Sequence, residues 1–112
     1  MRFAIPVTES KVAAHFGHCS HFALFDVDEA TKGIVRREVI PSPGHQPGLL
    51  PAWLAEEGVS VVIASGMGSR AQALFSEHRI EVVVGVLGDE PEKAVLDYIK
   101  GELARGDNIC DH

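Results

Sequence analysis

Cysteine is scarce in this sequence: there are two in 112 residues, Cys19 and Cys110, and they stand far apart. A disulfide between them is the weaker reading, because a reducing compartment keeps such residues as thiols, and free thiols suit a soft metal. Long apolar runs are also missing, and none approaches the roughly 20 residues that span a bilayer. The start Met1-Arg2-Phe3-Ala4-Ile5-Pro6 has neither the apolar segment nor the cleavage site of a signal peptide. A cytoplasmic protein with no membrane partner is expected. Basic charge is sparse too: the formal net charge is -6 and Lys and Arg are scattered, so no basic field attracts a polyanion and nucleic acid is a poor partner.

What is present is an ordinary globular composition, 46% hydrophobic and 23% charged, which argues against disorder or a collagenous repeat. A chain of this length encloses one core, so a single domain over residues 1–112 with one site is expected, residues 104–112 forming a flexible tail. Phe3, Ile5 and Val7 alternate with Arg2, Ala4 and Pro6, the period of a strand, and Pro6 suggests that this strand ends there or lies near an edge. Residues 22–27 and 34–40 read as two further strands of a hairpin about the polar turn 28–33.

Beyond the hairpin, Leu49, Leu50, Trp53 and Leu54 recur at helical spacing, and residues 59–64 follow as a strand buried on both faces. Ser69 with Gln72 resembles a capping box for a helix carrying Ala71, Leu74 and Phe75, and residues 80–84 form the next strand. Pro91 opens a last helix whose apolar face is Val95, Leu96, Ile99 and Leu103, ending before Gly106. The order implies an α/β fold with a mixed five-stranded sheet, one strand antiparallel to the rest, flanked by helices. The segments 8–20, 41–48, 65–68 and 85–89 then leave the carboxyl edge of the sheet, where open α/β folds bind ligands.

Most of the unusual chemistry falls in those segments. The run HFGHCSH places His15, His18, Cys19 and His21 within seven residues, three imidazoles and a thiol that suit zinc, copper or iron. The same run also reads as a surface loop with solvated histidines, and its spacing does not match a paired-cysteine structural zinc module. His45, in a loop stiffened by Pro41, Pro43 and Pro47, can extend the set or remain an exposed loop residue. Gly66-Met67-Gly68, followed by Ser69 and Arg70, lies between a buried strand and a helix start, so backbone N–H groups and Arg70 can face an anion, although a tight turn that requires glycine fits as well. Gly85 and Gly88 invite the same two readings. Cys110 and His112 are weaker metal candidates at the chain end, and His78 reads as a favourable charge at a helix carboxyl terminus.

Catalytic alternatives are thin. Cys19 beside a histidine resembles a thiolate nucleophile, but no orienting acid stands in the loop. Asp26 and Asp28 have no third carboxylate beside them to build a two-metal nuclease. A thiol- or zinc-dependent enzyme and a regulatory domain that binds a partner protein are the rival classes.

His15-Phe16-Gly17, Gly66-Met67-Gly68 and the closing Cys110-Asp111-His112, in this order over almost the whole length, resemble the dinitrogenase iron-molybdenum cofactor family. The likeness is to small stand-alone members such as the orange protein, which carries a molybdenum–copper sulfide cluster. The resemblance implies a ribonuclease-H-like fold without nuclease or other enzyme activity. It also implies binding, storage or delivery of a molybdenum-containing sulfide cluster, Mo–Cu or of the FeMo-cofactor kind, with a cluster-receiving or regulatory protein as a further partner. By position it makes His15 the first cofactor contact, with Phe16 and Gly17 in the same motif and Gly66, Met67 and Gly68 beside it. The sequence departs from the family at His18 and Cys19, where a thiol beside imidazoles suits copper. The expected contact set is therefore His15, Phe16, Gly17, His18, Cys19, His45, Gly66, Met67, Gly68 and Arg70, with His21 as a further metal ligand.

Overall fold

A computed structural model describes residues 1–8, 11, 12, 16, 19–44, 49–86 and 90–101. The strands are β1 (Arg2–Thr8), β2 (Lys11–Val12), β3 (His21–Val27), β4 (Ile34–Pro41), β5 (Val61–Ile63) and β6 (Glu81–Val83), and the helices are α1 (Leu49–Glu56), α2 (Ser69–Glu77) and α3 (Pro91–Lys100). The main sheet runs β4-β3-β1-β5-β6, with β2 paired to β1 off this path. Strand β3 is antiparallel to both β1 and β4, whereas β5 is parallel to β1 and β6 to β5. The mixed five-stranded sheet expected from the sequence is present, and β2 is a two-residue addition to it.

Side-chain alternation on the central strands builds two cores. Phe3, Ile5, Ala23, Phe25, Val61 and Ile63 share one with Ala94 and Val95 of α3. Ala4, Phe22, Leu24, Val62 and Ala64 share the other with Leu50 and Leu54 of α1 and Phe75 of α2. Successive strand residues point to opposite faces, so one central sheet is sandwiched between α1 and α2 on one side and α3 on the other.

Three local expectations are revised. Pro6 neither ends β1 nor lies at a sheet edge, since β1 runs on to Thr8 in the middle of the sheet. Proline is tolerated there because β5 pairs with β1 only at Phe3 and Ala4, and β2 joins only at Val7 and Thr8, so at Pro6 the only strand partner is Phe22 of β3. The capping box at Ser69 and Gln72 does not form: Gly68 is the N-cap, and Gln72 donates its side-chain amide to the Met67 carbonyl at 2.9 Å. Helix α3 stops at Lys100, where Gly101 takes a left-handed φ of 74° and closes it, short of the expected end; Leu103 and Gly106 lie outside the described residues. The expected start at Pro91 and the end of α2 at His78 are as read from the sequence.

Candidate functional site at the carboxyl edge

Strand directions bring the ends of β1, β4, β5 and β6 and the start of β3 to one edge, and hydrogen bonds tie the described parts of their loops together. The Phe16 amide donates to the Gly66 carbonyl at 2.9 Å, which joins the HFG motif to the GMG motif. Ser42 donates its amide to the Ser20 carbonyl at 3.0 Å, so the loop after β4 is tied to the residue entering β3. Gly85, at a left-handed φ of 87°, donates to the Ser65 carbonyl at 2.8 Å, and Val86 donates to the Ala64 carbonyl at 3.2 Å. The buried Ser65 hydroxyl donates to the Val86 carbonyl, which spends its polarity inside the core.

Apolar side chains anchor the two motifs from below. Phe16 packs its ring 5.6 Å from that of Phe22 and edge-on to Phe75 at 5.3 Å, between β3 and α2. Met67 and Cys19 are buried in the same cluster. Cys19 is only 3% exposed, and burial pushes its thiol up to about 11, offset in part by hydrogen bonds from its own backbone and from Ser42. The thiol is therefore a neutral core group and is not presented to the surface. That protonation state disfavours it as a nucleophile.

His21 sits at the start of β3, exposed, with its ring 2.9 Å from the Ser20 hydroxyl. It lines a groove with Val7, Ala23, Phe25, Arg37 and Glu92, on the α3 face of the sheet. Cys19, Phe16 and Met67 pack into the opposite core, so the structure separates His21 from Cys19 although they are two positions apart. Among the described residues, no three His, Cys, Asp or Glu side chains converge in a metal-binding group. His15, Gly17, His18, His45, Gly88, Cys110 and His112 lie outside the described residues.

The start of α2 is open to a ligand. Gly68, Ser69 and Arg70 are exposed, the first turn holds no acidic residue, and the N-cap makes no side-chain hydrogen bond. The first amides of a helix have no intrahelical acceptors and carry the positive end of its dipole. Gly68 has φ -63°, and a Cβ built on it meets nothing within 4 Å, so the backbone does not require glycine there. The tight-turn explanation therefore fails for Gly68, and the donor set fits an anion. Ser42, which reaches the Cys19 thiol, escaped the sequence reading, and Gln72, read there as half of a capping box, instead fixes the Met67 carbonyl.

The carboxylates considered for a nuclease have structural partners. Asp26 accepts from the Arg2 guanidinium at 2.7 Å, and Asp28 accepts the Ala30 amide at 2.8 Å within the hairpin turn.

Fold and site together define a small α/β protein in which the described loop residues Phe16, Ser20, Ser42, Ser65, Gly66 and Gly85 are hydrogen-bonded along one edge of a mixed sheet that also carries an exposed helix start. The chain belongs to the dinitrogenase iron-molybdenum cofactor family, whose model matches residues 1–101. A protein of known structure named PH0822 is similar over 95% of this chain and 96% of its own, with 30% identity and a TM-score of 0.85. A Methanocaldococcus jannaschii protein provisionally titled a dinitrogenase shares 23% identity over 96% of each chain, with a TM-score of 0.74. The orange protein of Desulfovibrio gigas, in its apo form, shares the fold at a TM-score of 0.70 and 22% identity, over 96% of this chain and 93% of that one. No curated protein matches the sequence. Family membership associates the chain with cofactor binding or carriage, and no helix among the described residues is long and apolar enough to cross a membrane.

Proposed function

We propose that the protein binds an anionic metal–sulfur cluster as cargo at the carboxyl edge and stores or delivers it without catalysing a reaction. The cargo is a molybdenum-containing sulfide cluster, Mo–Cu or of the FeMo-cofactor kind. The observation that carries this reading is the bond from the Phe16 amide to the Gly66 carbonyl, which ties Phe16 of the HFG motif to the GMG segment that leads into α2. Gly68, Ser69 and Arg70 supply N–H donors and a positive charge to the cluster's sulfides. His15, His18 and His45 are the proposed imidazole contacts, and copper is the metal they would suit. Cys19 supports the loop from the core in this arrangement and joins the contacts only by leaving that position. The rival thiol enzyme loses support from the same burial, since a thiol held neutral is a poor nucleophile.

Elemental analysis of anaerobically purified protein, with its visible absorption spectrum, tests the reading. Molybdenum together with sulfide and a charge-transfer band is the expected result, and zinc without a visible band would overturn it. Gly68→Asp has room for its side chain and puts a negative charge at the helix start. It should lower cluster retention at least tenfold, an effect of about 1.4 kcal/mol, while the far-ultraviolet circular dichroism stays that of the wild type.

A further inference from the structure

The outer edge of β4 bears an unused, self-complementary pattern. Strand β4 ends the sheet, and among the described residues no strand pairs with its far side. Edge strands are commonly protected from pairing by charge and by bulges, and β4 has both: Arg36, Arg37 and Glu38, and a register shift opposite Asp26 and Val27. Yet it also exposes Val35 at 66% and Val39 at 64%, the two most exposed large hydrophobic side chains described. Exposed β-branched residues on an edge are what a partner strand covers.

We propose that β4 pairs with β4 of a second copy of this chain, antiparallel about a two-fold axis through Arg37 and normal to the sheet. Such an axis keeps each face against its like face, so only registers that differ by whole residue pairs are open. In the register centred on Arg37, Arg36 of each copy lies opposite Glu38 of the other, and Val39 meets the other copy's strand at its bulge, where Val35 is the extra residue. Arg37 then meets its counterpart, with each guanidinium already ion-paired to Glu92 of its own α3. A shift to either side sets Arg36 against Arg36 or Glu38 against Glu38, so charge selects the central register. Within one copy Arg36 and Glu38 already lie 3.3 Å apart, both largely exposed, and on pairing they exchange this contact for two across the interface. The result is one continuous sheet through both copies, with the two carboxyl edges at opposite ends.

Sedimentation equilibrium of the full chain reads the association. A dimer is expected for the wild type. Arg36→Glu sets glutamates opposite one another twice and should weaken association roughly tenfold, and Arg36→Glu with Glu38→Arg should return it to within about threefold of wild type. Val39→Lys, at a position exposed in the single copy, gives an independent route and should leave monomers. Circular dichroism and urea midpoints confirm that each variant is folded. A wild-type chain that stays monomeric at millimolar concentration overturns the proposal, as does a dimer that neither Arg36→Glu nor Val39→Lys weakens. A double variant that fails to recover overturns the register.

Discussion

At the scale of single residues, Cys19 departs furthest from its sequence context. It lies in a run of histidines and serine that reads as a polar surface loop, yet its sulfur is in the core with Phe22 and Met67. A signal for this was available: cysteine is among the most buried residue types, and Phe16, Cys19 and Phe22 recur at intervals of three. In a Cys110→Ser background, Cys19 should react with a disulfide reagent at pH 8 on the order of a hundredfold more slowly in native than in urea-unfolded protein, because an ordinary thiol near 8.5 is far more ionised there than one near 11. Equal rates would place the thiol at the surface. With a folded value above the unfolded one, the neutral thiol favours folding fully below the unfolded value, and that contribution is lost as pH rises toward 11. Asp26 is the converse case, since the Arg2 guanidinium bonded to it holds its carboxyl below the usual carboxylate range. Its contribution is present above the unfolded value and is lost as pH falls through the lowered folded value. Asp26→Asn should therefore cost about 1 kcal/mol at neutral pH in urea unfolding, a modest sum for a partly exposed pair, and the difference from wild type should close in acid.

At the scale of elements, apolar periodicity was legible wherever it ran long enough to be counted. The hairpin β3–β4, the buried β5 and the helices α1, α2 and α3 follow directly from it. Two-residue β2 has no period to detect, and Pro6 misled because the gap between β5 and β2 that accommodates it arises from tertiary pairing. The capping box does not form because the Gln72 side chain donates to the Met67 carbonyl instead of reaching back to the N-cap amide. For the site, the sequence marked the GMG and HFG segments, but not the bond from Phe16 to Gly66 that joins them nor the inward turn of Cys19. Both depend on long-range packing. Strands β5 and β6 have three residues each, so their exits rely on the bonds of Ala64, Ser65, Gly85 and Val86 beyond the ladder. Ser65→Ala removes the donor to the buried Val86 carbonyl and should cost about 1–3 kcal/mol. Urea unfolding measures that loss. A change near zero would mean that the carbonyl finds another partner.

At the scale of the whole molecule, the charge of the chain and that of its proposed cargo have the same sign. A net charge of -6 repels an approaching anion at distances where individual groups are not resolved, while the amides and Arg70 at the start of α2 attract it only within the first turn. Salt acts differently on the two fields. Between roughly 10 and 150 mM ionic strength the screening length falls from about 30 to about 8 Å, which removes most of the long-range repulsion and leaves close contacts less affected. Capture of tetrathiomolybdate, followed by stopped-flow absorbance, should therefore quicken severalfold as salt is raised over this interval. Arg70→Glu should slow it at every salt concentration, because this substitution changes the local field. A protein that met its ligand through a broad positive surface would show the opposite slope, with capture slowing as salt rises. A falling rate would thus mean that a positive field extending well beyond α2 governs the approach, and that the local attraction argued from Gly68, Ser69 and Arg70 is not what brings the anion in.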